Sequence, residues 1–187
     1  MTTATPSMPS QGPGVQSMEP TTATTPHISS RVFNAPRELV WKANTEAARL
    51  SQWLSPAGSA STVKKHDLRV GGGFHYCQRS PDGSEIWGMI EYKEITPIKK
   101  LVYIQWFSDA DGGITTHPMA PTWPRRMHTV IDLEDLGDSK TRLTVAWTPV
   151  EGSAEEELTI FDNARAGMDG GWKGTFDKLE AYLKIAQ

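Results

Sequence analysis

The last stretch of the chain, from Glu155 to about Ala186, repeats its apolar residues with the period of an α-helix. At roughly 100° per residue, these side chains fall within about 60° of one direction. They are Phe161, Met168, Trp172, Phe176, Leu179 and Leu183. The segment is long enough to cross a small domain as one helix. Such a helix needs a broad apolar partner, and this requirement constrains the rest of the fold.

Four glycines crowd one flank of this predicted helix: Gly167, Gly170, Gly171 and Gly174. Each glycine inside a helix costs about 1 kcal/mol relative to alanine. We therefore expect one of two explanations. Either the helix breaks near residues 167–171, or a continuous helix uses this flank for a close backbone contact or for the wall of a cavity.

Composition excludes several classes of protein. Residues 1–26 are rich in Thr, Ser, Pro and Gly and predict a disordered tail before one domain at 27–187. The net charge of -3 gives no electrostatic reason to bind nucleic acid. No apolar run is long enough to span a membrane. A single cysteine, Cys77, allows no intrachain disulfide, and with no signal peptide in view we predict a cytoplasmic protein.

The middle of the chain alternates between apolar and polar residues, as strands do. A first strand at 28–34 precedes two short helices, the first beginning after Pro36 and the second capped by Thr45. Six further strands follow, at 63–68, 74–78, 85–95, 101–107, 127–136 and 141–150. Short turns between the later strands favour antiparallel pairing. The segment from Ser108 to Arg125 is predicted to be a long loop.

These elements predict an α+β architecture in which a curved antiparallel sheet wraps around the C-terminal helix. The two short helices would close one end. A curved sheet over one helix rarely fills its concave side, so we expect a cavity between sheet and helix, where ligand sites usually form.

Several segments resemble the Hsp90-ATPase-activator-homologue branch of the START/Bet v 1-like, or SRPBCC, superfamily. They are RVFNAPRELVW at 31–41, LSQWL at 50–54, DLRVGGGF at 67–74, GMIEYKEITP at 88–97, KLV at 100–102 with Trp106, TRLTV at 141–145, and Gly171-Trp172. The resemblance covers about residues 28–185 and implies the helix-grip fold. Its members include lipid and hormone binders, aromatic cyclases and co-chaperone modules, so it implies no single function.

The leading hypothesis is a site for a hydrophobic or aromatic small molecule in the concavity. The large apolar residues assigned to it are Trp53, Phe74, Tyr76, Trp87, Met89, Trp106, Met127, Trp147, Met168 and Trp172. Tyr103 is placed nearby, although strand alternation points Tyr103 and Gln105 away from Trp106. Ordinary core packing is the alternative interpretation for each residue.

No catalytic residue, metal site or cofactor is predicted. The residues considered for acid–base catalysis are His75, Tyr76, Glu91, His128 and Arg126. Alternation places both histidines on the outer face, and no nucleophile, base and orienting group come together. The run at 71–73 predicts a tight turn instead of a phosphate loop. Two alternatives remain, an interaction module that binds Hsp90 and a cyclase-like enzyme.

Overall fold

The computed structural model describes residues 24–54, 59–117 and 120–186. Their helices and strands are β1 (His27–Phe33), α1 (Arg37–Thr45), α2 (Ala47–Trp53), β2 (Ala60–His66), β3 (Gly73–Arg79), β4 (Glu85–Thr96), β5 (Lys100–Ser108), β6 (Met127–Asp135), β7 (Thr141–Pro149) and α3 (Glu155–Ile185). The predicted α+β order is confirmed. None of these helices is both long enough and apolar enough to cross a membrane. The predicted disordered tail lies, up to residue 23, outside the described residues.

The seven strands form one antiparallel sheet in the order β1-β7-β6-β5-β4-β3-β2. Strands β2 to β7 are a meander in which each strand pairs with the next. The first strand instead pairs with the last, so that His27 lies opposite Trp147. Helices α1 and α2 therefore carry the chain from one edge of the sheet to the other.

The glycine run between β2 and β3 forms the predicted tight turn. Gly71 has a φ of 77°, a conformation that favours glycine. Its N–H donates to the carbonyl oxygen of Tyr92 at 2.9 Å. A β-carbon at Gly73 would collide with the carbonyl oxygen of Ile90. These glycines let the turn lie directly against β4.

The helix α3 is continuous from Glu155 to Ile185, so the break near its glycines does not occur. One of its flanks is fixed to β1, the edge strand. The guanidinium of Arg31 donates to Asp177 at 2.6 Å and lies 5.3 Å above the ring of Phe176. The apolar face of α3, which includes Phe161, Met168 and Leu179, is buried against the curved sheet.

The cap predicted for the second helix is wrong. Thr45 is the last residue of α1, and its hydroxyl donates to the carbonyl oxygen of Trp41 at 2.8 Å. Its side chain is therefore occupied within α1, and Glu46 begins α2 without a side-chain cap. A hydrogen bond links the two helices, because the indole N–H of Trp53 in α2 donates to the carbonyl oxygen of Ala43 in α1 at 2.8 Å.

Candidate functional site: a cavity between the sheet and helix α3

A cavity of about 370 Å³ lies between the sheet and α3. This volume falls at the small end of the range typical of ligand sites. Strands β3 to β7, helix α3 and the short helices all contribute to its wall. Seven aromatic side chains line it: Trp53, Tyr76, Tyr92, Tyr103, Trp147, Trp172 and Phe176.

The rest of the lining is mostly aliphatic and includes Leu50, Ile90, Leu101, Ile131 and Val145. Polar side chains are few, namely Asn44, Gln105, Thr175 and the three tyrosines. Within the part of the chain that the structure describes, no Asp, Glu, Lys, Arg or His lines the cavity. The site is therefore uncharged and suited to an apolar molecule.

The glycines of α3 are explained only in part by this cavity. Gly171 and Thr175 form its wall on one flank of the helix. A β-carbon added at any of the four glycines would meet nothing within 4 Å, which rules out the expected close backbone contact. All four glycines are exposed, and the structure gives no reason for Gly167, Gly170 and Gly174.

Tyr76 reaches into the cavity because its neighbour on β4 has no side chain. Gly88 is the cross-strand partner of Tyr76. A β-carbon at this glycine would lie 2.5 Å from the phenol oxygen of Tyr76. The ring of Phe74 stacks on Tyr76 from β3, with 5.1 Å between ring centroids. Tyr76 is therefore held flat against the sheet by Gly88 and Phe74.

Two more tyrosines stand side by side on the inner face. Tyr92 on β4 pairs with Tyr103 on β5. Burial raises the pKa of Tyr76 to about 12 and that of Tyr92 to about 12. Burial, together with the nearby phenols of Tyr92 and Tyr76, also raises the pKa of Tyr103. All three hydroxyls therefore stay protonated near neutral pH and can donate hydrogen bonds.

The structure divides the ten predicted ligand-binding residues into three groups. Those that line the cavity are Trp53, Tyr76, Trp147, Met168 and Trp172. Phe74 and Met127 are buried in the interior beside the cavity without lining it. Trp87, Met89 and Trp106 lie on the other face of the sheet, outside the cavity.

Strand register explains this last placement. Trp87 pairs with Cys77, and Met89 pairs with both His75 and Trp106. Cross-strand partners share a face, and neighbours along a strand alternate between faces. Since Tyr76 points inward, its neighbours His75 and Cys77 on β3 point outward. Their cross-strand partners Met89 and Trp87 therefore point outward too, and so does Trp106, the partner of Met89.

Sequence reasoning did not assign Tyr92 or Gln105 to the site. The alternation of side chains along β5 already puts Tyr103 and Gln105 on one face of the strand and Trp106 on the other. Only one of these two faces can point toward the cavity. Both sets contain large apolar residues, and the sequence does not say which set turns toward α3. The pairing of Tyr92 with Tyr103 fixes the choice.

Apart from Tyr76, the residues considered for catalysis lie away from the cavity. His75 is on the outer face, where its Nε2 is 3.1 Å from the hydroxyl of Ser108. Glu91 accepts a hydrogen bond from Lys93. The Arg126 guanidinium lies 5.6 Å above the ring of Trp106, on the outer face. The described residues contain no cluster of three or more potential metal ligands.

Comparison with known proteins agrees with this architecture. A protein from Mycobacterium smegmatis superposes with a TM-score of 0.67 at 23% identity, over 86% of this chain and 91% of that one. A protein from Arthrobacter aurescens gives 0.68 at 24%, over 87% of each chain. The AHSA1 protein from Silicibacter pomeroyi gives 0.62 at 18%, over 86% and 98%. At these identities the likeness establishes the fold alone.

No curated protein matches the sequence. The sequence model of one family, described as activator of Hsp90 ATPase homolog 1-like protein, matches residues 34–184. These residues include most of the motifs on which the resemblance rested and all of the cavity lining. Because the match spans most of the chain, the protein belongs to the activator of Hsp90 ATPase homolog 1-like family.

Proposed function

We propose that this protein binds a hydrophobic small molecule in the sheet–helix cavity. The observation that carries this proposal is an uncharged space of about 370 Å³ lined by seven aromatic side chains. Each 100 Å² of apolar ligand surface removed from water there contributes roughly 2.5 kcal/mol. A small aromatic molecule could obtain useful affinity from burial alone, before any polar contact is counted.

The same lining favours binding over a cyclase-like reaction. A general acid or base works best when its pKa lies near the working pH. The ionisable groups that line the cavity in the described part of the chain are tyrosines, and burial raises the pKa of Tyr76 and Tyr92 to about 12. Phenols of this kind serve as hydrogen-bond donors to a bound molecule.

The proposal is tested by native mass spectrometry and calorimetry with a panel of uncharged aromatic and aliphatic molecules. We expect wild-type protein to retain at least one class of aromatic compound. Ile90→Trp should fill the cavity and weaken binding by at least about tenfold, or ~1.4 kcal/mol. Ile86→Trp is the matched control, since Ile86 is a partly buried residue of the same strand that does not line the cavity.

Two outcomes would contradict the proposal. The first is a folded wild-type protein that binds no member of the panel. The second is binding that Ile90→Trp leaves unchanged, because the ligand would then occupy another surface.

A second candidate function rests on the family match. We propose, as the alternative, an interaction module that acts on Hsp90. Stimulation of Hsp90 ATPase activity by the purified protein would support it, and none at high protein concentration would count against it. Both functions suit the cytoplasm, where a free buried thiol such as that of Cys77 is ordinary.

A further inference from the structure

The cavity contains hydrogen-bond donors with no partner. The hydroxyls of Tyr76 and Tyr92 make no hydrogen bond to any residue that the structure describes. The indole Nε1 of Trp147 is buried and likewise lacks a partner among the described residues. Buried donors in proteins are almost always satisfied. Trp147 Nε1 is fully buried, whereas Tyr76 and Tyr92 line the cavity, so their hydroxyls are the donors available to a bound molecule.

These donors are ordered by the sheet and not scattered. Tyr92 pairs with Tyr103, Tyr103 with Thr129, and Thr129 with Trp147. The four residues therefore form one row across β4, β5, β6 and β7 on the inner face. Tyr76 lies on β3 opposite Gly88, four residues from Tyr92 along β4. A molecule lying on the sheet beneath α3 would meet several donors along one side.

The residues that line the cavity limit the charge that a bound molecule can carry. The cavity lining of the described chain holds no cation to balance a carboxylate or phosphate and no anion to balance an amine. A charged group moved into such a site loses its hydration without compensation. The donors therefore suit a neutral acceptor, and a carbonyl oxygen is the simplest one.

We propose that the cavity selects uncharged, mainly aromatic molecules that carry a carbonyl oxygen, which accepts a hydrogen bond from the hydroxyl of Tyr76 or of Tyr92. This inference rests on the proposed function, because it requires that the cavity binds a ligand at all. It adds the chemical class of that ligand and the residues that distinguish it from a plain hydrocarbon.

The test compares two probes of nearly the same shape, benzophenone and diphenylmethane, which differ by one carbonyl oxygen. Calorimetry on the full chain should show benzophenone binding roughly 3- to 10-fold more tightly, the effect of one net hydrogen bond. At least one of Tyr76→Phe and Tyr92→Phe should reduce this preference, by lowering the affinity for benzophenone more than the affinity for diphenylmethane. Diphenylacetate, which carries a carboxylate, should bind more weakly than either.

Tyr182→Phe is the matched control. Tyr182 is also a buried tyrosine, but its hydroxyl accepts a hydrogen bond from Arg49 at 2.9 Å and it does not line the cavity. This variant should keep the full preference for benzophenone. A second measurement needs no variant: the carbonyl stretch of benzophenone bound to the wild-type protein should lie at lower wavenumber than in an alkane solvent, where the carbonyl accepts no hydrogen bond.

The outcomes separate the two proposals. Equal affinity for benzophenone and diphenylmethane, with a bound carbonyl stretch equal to that in the alkane solvent, overturns the selection for a carbonyl while ligand binding stands. Tighter binding of diphenylacetate than of benzophenone also overturns it. If none of the aromatic and aliphatic molecules binds, and neither benzophenone nor diphenylmethane binds, the proposed ligand-binding function is wrong. The proposed selection for a carbonyl is then wrong as well.

Discussion

At the residue scale, the shape of the site depends on Gly88, a residue with no side chain. Gly88 lies under the ring of Tyr76, and no larger residue fits there without moving that ring. Phe74 covers the other side of Tyr76 and is fully buried, so the ring cannot retreat in that direction. The position of one hydroxyl in the cavity is therefore set by a glycine on the neighbouring strand.

Gly88→Ala tests this arrangement. The added methyl group should push the Tyr76 ring into the cavity, destabilise the protein by about 1–3 kcal/mol through overpacking, and weaken ligand binding. Urea denaturation and calorimetry measure the two effects. The double variant Gly88→Ala with Tyr76→Leu should recover part of the stability, because the clash is removed. Unchanged stability and binding in Gly88→Ala would show that the ring has room to move.

His128 allows a prediction about pH. Burial, aided by the nearby Lys100 ammonium, lowers the pKa of this histidine below its ordinary value of 6.5. The unfolded chain therefore binds the proton more readily than the folded protein. The resulting contribution to stability is complete above pH 6.5 and is lost as the pH falls below it.

Wild-type protein should thus melt at a lower temperature at pH 5 than at pH 7. His128→Gln cannot take up this proton, so its melting temperature should fall less over the same interval. Thermal unfolding at several pH values gives both slopes. Parallel curves for the two proteins would mean that His128 titrates alike in the folded and unfolded states.

At the scale of the element, the two flanks of α3 lie in different environments. The flank that carries Asp177 is tied to β1 through Arg31. The flank that carries Gly171 and Thr175 forms a wall of the cavity. The helix is therefore held by an ion pair on one flank and borders the cavity on the other, where Gly171 is the one of its four glycines that lines the cavity.

The exposed glycines of α3 should be replaceable with a gain in stability. Alanine at Gly167, Gly170 or Gly174 would meet no neighbouring atom and should raise the free energy of unfolding by about 0.5–1 kcal/mol each. Chemical denaturation measures the gain. A loss of stability would mean that these positions need the conformational freedom of glycine.

Position 171 differs because it belongs to the cavity wall. Gly171→Leu should weaken binding of a cavity ligand, whereas Gly170→Leu, one residue along on the solvent side, should not. Calorimetry on both variants makes the comparison. Equal effects would remove the glycine flank from the argument for a ligand site.

At the scale of the whole molecule, periodicity predicts the fold better than the site. The stripe on α3 and the alternation in β6 and β7 have one apolar face each, so burial decides their orientation. Strand β5 is apolar on both faces, with Leu101 and Tyr103 on one and Ile104 and Trp106 on the other. Only the register with β4 and β6 tells which set faces α3, and single-sequence reasoning does not supply that register.

The final prediction concerns how the molecule responds to a ligand. An empty cavity leaves the middle of α3 without support on one flank, so this segment should open locally more often than the strands beneath it. A ligand at 100 times its dissociation constant should stabilise the folded state by about 2.7 kcal/mol. Hydrogen exchange should therefore slow most at residues 167–175 and little in the β6–β7 turn at 136–140. Saturating ligand with unchanged exchange in α3 would place the binding site outside the cavity.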